Sequence, residues 1–134
     1  MQNHRFLAVT LLAILFAFAA DGAIAPDKVK KMKADAPEVF VVEVTKVDVN
    51  GNGLTPQIVY TVKVTAVTRS NEGVKPGQEI QIQSYDDRRP IREPGPKVPP
   101  RLNVGWKGTA YTTYDAKTKR FPIAVYGHSF ETAR

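Results

Sequence analysis

Residues 58–69 read IVYTVKVTAVTR, and this stretch decides the fold. Ile58, Tyr60, Val62, Val64 and Ala66 fall on one face of an extended chain, while Thr61, Lys63, Thr65 and Arg69 fall on the other with Val59 and Val67. Side chains alternate across a strand, and β-branched residues fit a pleated surface, so the segment is a long strand with a central place in its sheet. Four further stretches continue the pattern. Phe40, Val42 and Val44 share a face, and beyond Thr45-Lys46 the apolar set moves to Val47 and Val49, which requires a bulge or strong coiling. Asn50-Gly51-Asn52-Gly53 then supplies a hairpin turn. Ile80 and Ile82 alternate with Gln81 and Gln83 in a third strand; a fourth is expected over Trp106–Tyr114 and a fifth over Phe121–Tyr126.

Between the third and fourth strands residues 85–101 read YDDRRPIREPGPKVPPR, whose five prolines forbid a regular helix and a central strand. An extended surface loop is expected there. Five strands without an alternating helix argue against a parallel βαβ design. The expected fold class is all-β and antiparallel, a five-stranded barrel or, as the alternative, a β-sandwich. Pairing of the first strand with the fourth would mark the barrel.

Residues 1–25, MQNHRFLAVTLLAILFAFAADGAIA, read as an export signal: Arg5 precedes an apolar run over Phe6–Ala20, and small residues follow. Cleavage is expected after Ala19 or Ala25. The run is shorter than the roughly 20 residues that span a bilayer, so retention as an anchor is the lesser expectation. Residues 26–36, PDKVKKMKADA, form a basic lead-in, a short helix or a flexible tail, before a single domain over 37–134. The chain has no cysteine, which removes disulfides and thiolate metal sites and points to a bacterial periplasm or exterior. A net charge of +6 permits an anionic partner without demanding one.

The order EVFVVEVTKVDV, YTVKVTAVTRS, VKPGQEIQIQS, LNVGWKGTAYTTYD, FPIAVYGHSF resembles the oligonucleotide/oligosaccharide-binding (OB) fold in its netrin-like, tissue-inhibitor-of-metalloproteinase-like (TIMP-like) version, over Val39 to about Phe130. Gly77 before the third strand, and Leu102 with Gly105 before an aromatic fourth, carry the likeness. The resemblance implies an OB-like barrel. Inhibitors of that family chelate zinc through an N-terminal cysteine, so their mechanism does not transfer to this chain. A helix commonly bridges strands three and four of an OB barrel, where this chain has prolines.

The expected binding face combines Arg88, Arg89, Arg92, Lys97 and Arg101 of the loop with the aromatic side chains of Tyr85, Trp106, Tyr111 and Tyr114. Guanidinium forks match oxyanions, and flat rings stack on sugars or bases. Against the five cations stand Asp86, Asp87 and Glu93, leaving the loop at +2 and open to closing on its own charges. Period two sets Trp106 and Tyr114 on one face and Tyr111 on the other. Asp48, Asn50 and Asn52 imitate the opening of a calcium loop, but the closing position is Val59 and a hairpin accounts for them, so no metal and no cofactor are expected. His128 is the only histidine beyond the leader, and the serines at 70, 84 and 129 lie in no nucleophile motif. No catalytic residue is expected, and the chain reads as a non-enzymatic, exported binding or structural accessory module. The expected partner is an envelope or extracellular protein, then an anionic polysaccharide; a nucleic-acid-binding OB protein and an extracellular protease inhibitor with a non-cysteine mechanism are the alternatives.

Overall fold

The computed structural model describes residues 24–90 and 95–134. Residues 1–23 of the leader expected over 1–25, and Arg92 and Glu93 of the loop, lie outside the described residues. Helix α1 (Pro26–Asp35) opens the described chain, followed by β1 (Glu38–Asn50), β2 (Gln57–Ser70), β3 (Glu79–Tyr85), β4 (Lys107–Thr112), β5 (Phe121–Pro122), a single 3-10 turn at Tyr126–His128 and β6 (Phe130–Thr132). No described helix is long and apolar enough to cross a membrane.

All six strands belong to one sheet in the order β5-β3-β2-β1-β4-β6. The fold is therefore all-β, but the five-stranded, wholly antiparallel arrangement needs correction. Five of the expected runs do pair, yet the fifth is cut to two residues, a sixth strand follows the 3-10 turn, and β5 lies parallel to β3 through Ile82 and Gln83. The parallel pair follows from direction. β1 runs antiparallel to β2 and to β4, and β2 antiparallel to β3, so a strand returning from β4 points the same way as β3. Nor do two sheets face each other as a sandwich would require.

The β1–β2 register slips between Val44 and Lys46, where the apolar set changes faces, and again at Val39/Phe40 and Val41/Val42. Each extra residue bends the strand and increases its twist. Curling brings Phe40, Val42, Val44, Ile58, Tyr60 and Val62 into one core with Ile82, Ala110, Phe121 and Phe130. Each fully buried aliphatic or aromatic side chain here contributes on the order of 1.5–3 kcal/mol.

β4 has β1 on one edge, and its other edge meets two successive segments. Gly108–Ala110 pair with β6, while Thr112 bridges Ile123. Around that bridge the Thr113 N–H donates to Pro122 O at 2.9 Å and the Ala124 N–H to Tyr111 O at 3.0 Å. On its opposite side the same segment sends the Ile123 N–H to Gln83 O of β3 at 3.0 Å. The strand ladder is not continuous around the sheet; this stretch touches both sides of the remaining gap.

The lead-in is the helix α1, with Pro26 in its first turn and Val29 buried. The Arg69 guanidinium, from the end of β2, donates to Ala36 O at 2.6 Å and to Lys33 O, placing a cation at the helix C-terminus where the dipole favours it. Lys33 also pairs with Glu131 of β6 and lies 5.2 Å from the centre of the Tyr111 ring.

Candidate functional site

Two arginines of the proline-arginine loop pair with its own aspartates. Arg88 Nε lies 3.5 Å from Asp86, and Arg89 grips Asp87 with both arms of its fork, Nε to Oδ1 at 2.9 Å and a terminal nitrogen to Oδ2 at 2.7 Å. Asp87 is buried, which makes the second pair the tighter restraint. Lys97 and Arg101 are exposed; the carbonyl of Lys97 accepts the Gly127 N–H at 2.7 Å, tying the returning loop to the 3-10 turn. At the far end the Leu102 N–H donates to the Tyr60 hydroxyl at 3.0 Å.

The fourth-strand aromatics separate by face. Trp106 and Tyr114 pack against the core, Trp106 edge-on to Phe130 and Tyr114 tilted against Phe121. Tyr111 faces the opposite way, beside Lys33 and Glu131. The structure does not bring these three rings into one surface with the arginines. Tyr85 stands apart from them, half-buried beside Tyr126; burial first, then the neighbouring Tyr126 and Asp87, push its phenol above the usual range.

Asp48 of the calcium-like turn lies 3.6 Å from Lys46, and among the described residues no group of three or more His, Asp or Glu could hold a metal ion. His128 sits in the 3-10 turn, where its N–H donates to Val125 O at 2.9 Å. Ser70 Oγ bonds Glu38 and accepts the Val74 N–H, and Ser129 Oγ accepts the Val125 N–H at 2.9 Å. Two of the three serines are thus held by structural bonds.

Ser84 is different. It is 3% exposed, and its Oγ is the one buried side-chain polar atom among the described residues without a hydrogen-bond partner. It lines a cleft of about 450 Å3 where β3 runs on past the end of its pairing with β5. Gln57, Gln83 and Thr113 add neutral polar groups, and Tyr85 and Tyr126 frame the wall. Met32 of α1 with Pro122, Ile123 and Ala124 supplies the apolar part. Tyr126 holds φ at +47°, a left-handed backbone that a non-glycine residue adopts at a cost of about 1–2 kcal/mol.

No family model, curated protein or solved structure matches the chain. Function must be read from the site itself.

Of the cleft residues, sequence reasoning singled out only Tyr85 as a binding residue. One signal was present: Ser84 continues the Ile80-Ile82 face, a hydroxyl where the alternation asks for an apolar side chain. Tyr126 and Met32 carried no comparable mark, because the turn and the helix reach the cleft only through the tertiary fold.

Proposed function

We propose that this chain is an exported, non-catalytic binding or structural accessory module on an OB-like barrel, and that its partner is another protein of the envelope or extracellular space. Export rests on the leader read from residues 1–25. The barrel is supported by the β1–β4 pairing and by the Phe121–Ala124 stretch, which bonds β3 on one side and β4 on the other. Along the outer edge of β4, the Pro122–Ala124 stretch and β6 follow one another, interrupted by the 3-10 turn.

The observation carrying the protein partner is the character of one end of the sheet. There the loop arginines Arg88 and Arg89 are matched by Asp86 and Asp87, while Tyr126 at the cleft and Leu54 on the β1–β2 hairpin remain exposed. Arg88 donates its N–H to Leu54 O at 2.7 Å, which brings the β1–β2 hairpin against this loop. A rim on which Arg88 and Arg89 are already matched, beside exposed apolar groups, suits a protein surface better than a polyanion, which needs several unmatched cations to release counterions. Prolines in the loop lower the entropy lost on docking.

A photoreactive phenylalanine analogue at position 126, with a second at exposed position 63 as control, tests the reading in the native compartment. A discrete protein adduct from 126 and none from 63 is expected. Retention on heparin or DNA resin at about 0.15 M salt, without such an adduct, would move the assignment to an anionic polymer.

A further inference from the structure

The cleft does not end at Ala124. A second hollow of about 220 Å3 shares Met32, Thr113 and Ala124 with it and runs on past Asp35, Ala36 and Pro37. Shared walls put the two in line as one groove between α1 and the Pro122–Ala124 stretch. We infer that this groove holds an extended, uncharged peptide segment of the partner protein, laid along the uncovered end of β3; the inference rests on the protein-partner reading above.

Charge is the first ground. The larger lobe carries no side chain ionised at neutral pH, so a charged ligand group would lose hydration there without a counter-charge. Asp35, at the far end, already has Lys31 at 3.4 Å. The second ground is wall chemistry. Met32, Pro122, Ile123 and Ala124 offer apolar contact that continues to Ala36 and Pro37, and methionine adapts to varied side chains. A sugar, with a hydroxyl on almost every carbon, would leave most of them unpaired along such a wall.

The third ground is the strand edge. Ser84 faces β2, as do its neighbours of the same parity: the Asp86 N–H donates to Pro56 O at 3.0 Å and the Val64 N–H to Gln78 O at 2.9 Å. Alternation therefore turns the backbone groups of Gln83 and Tyr85 outward. Gln83 meets the Ile123 N–H, but the ladder with β5 ends there, and the outward edge at Tyr85 opens on the groove. An added strand uses such an edge through main-chain bonds and seats alternate side chains in pockets. Ser84 Oγ, unpartnered at the groove wall, gives a further hydrogen bond to the incoming main chain.

The test uses the full chain and an array of end-capped heptapeptides whose three central positions run over Val, Leu, Ser, Gln, Lys and Glu, read by fluorescence polarisation. Uncharged members containing aliphatic residues should bind, and those with central Lys or Glu should bind at least about tenfold more weakly. Ser84→Ala should weaken binding by about 5–10-fold without lowering thermal stability, because it removes an unpaired hydroxyl. Ala124→Trp, which fills the passage between the lobes, should abolish binding, while Lys63→Ser at the exposed control position on β2 should leave it unchanged. No binding, a preference for charged peptides, or equal binding by wild type and a folded Ser84→Ala chain overturns the inference, as does displacement of the peptides by a neutral glucan hexamer. A protein adduct at position 126 without peptide binding removes the peptide groove and leaves the protein partner. Peptide binding without any adduct removes the protein partner and leaves the groove's chemistry.

Discussion

Glu38 shows how one residue organises a corner of this protein. It is 1% exposed, and its carboxylate accepts the Ser70 hydroxyl, the Asn71 N–H at 2.7 Å and the Glu72 N–H at 2.9 Å, so it caps the turn that leaves β2. Its own carbonyl accepts the Thr112 hydroxyl at 2.9 Å, linking the same residue to β4. Glu38→Ala removes the acceptor of two part-buried N–H groups and a hydroxyl, and a loss of about 1–3 kcal/mol is expected in urea unfolding, against a smaller loss for Glu38→Gln. Tyr60 plays the equivalent part for the loop. Burial pushes its phenol up, outweighing the bond from Leu102 and the nearby Arg101, so the neutral form is favoured in the folded state. The corresponding stability is present below the unfolded value of about 10 and is lost as pH rises through the higher folded value. Tyr60→Phe should cost about 1–2 kcal/mol at neutral pH through the unpaired Leu102 N–H, and should flatten the decline above pH 10 measured by denaturant midpoints. These roles were half legible. Alternation put Tyr60 in the core, but its bonding partner is 42 residues away, and Glu38 was a charged residue in front of an apolar run with nothing local to say that it is buried.

At the scale of elements, α1 is held by charge as much as by its few apolar residues. The Lys33 ammonium, through a hydrogen bond and its charge, lowers the Glu131 carboxyl below the usual range against the opposing effect of burial. A depressed carboxyl gives stability that is present above the unfolded value of about 4.3 and lost as pH falls through the folded one. Below about pH 4 the helix should therefore loosen first, seen as faster amide exchange in α1 than in β2, and Lys33→Ala should remove that difference. β6 depends on close approach. A methyl at Gly108 would stand 2.5 Å from ring atoms of Trp106 and collide with the Glu131 carbonyl. Gly108→Ala should cost about 1–3 kcal/mol and shift the emission of Trp106, the single tryptophan. The strands β1 to β3 were legible because long alternation and a glycine-rich turn are local signals. β6 was not legible: the expected fifth strand stopped at Tyr126, and the turn that leads on to Phe130 is held by the tie from Gly127 to Lys97 across the loop.

For the molecule as a whole, everything turns on how far the sheet curls. The apolar switch at Thr45-Lys46 announced the bend, and the structure has a register slip between Val44 and Lys46. The join at the far side left no comparable trace, since it consists of a few backbone bonds from Phe121–Ala124 to two strands that are remote in sequence. If that join closes the body, the amides of Thr113, Ile123 and Ala124 should exchange as slowly as those of β2, and exchange at solvent rates would show an open sheet instead. The candidate site escaped sequence reasoning for the same reason, because the cleft lies where β3 parts from that stretch.

The doubly occupied outer border of β4 bears on behaviour in a crowded compartment. Unpaired strand borders are templates on which neighbouring molecules stack into fibres, and β6 with the Ile123 bridge removes that opportunity along most of β4. A chain with no cross-links to fall back on thereby gains resistance to self-templated polymerisation from three residues near its C-terminus.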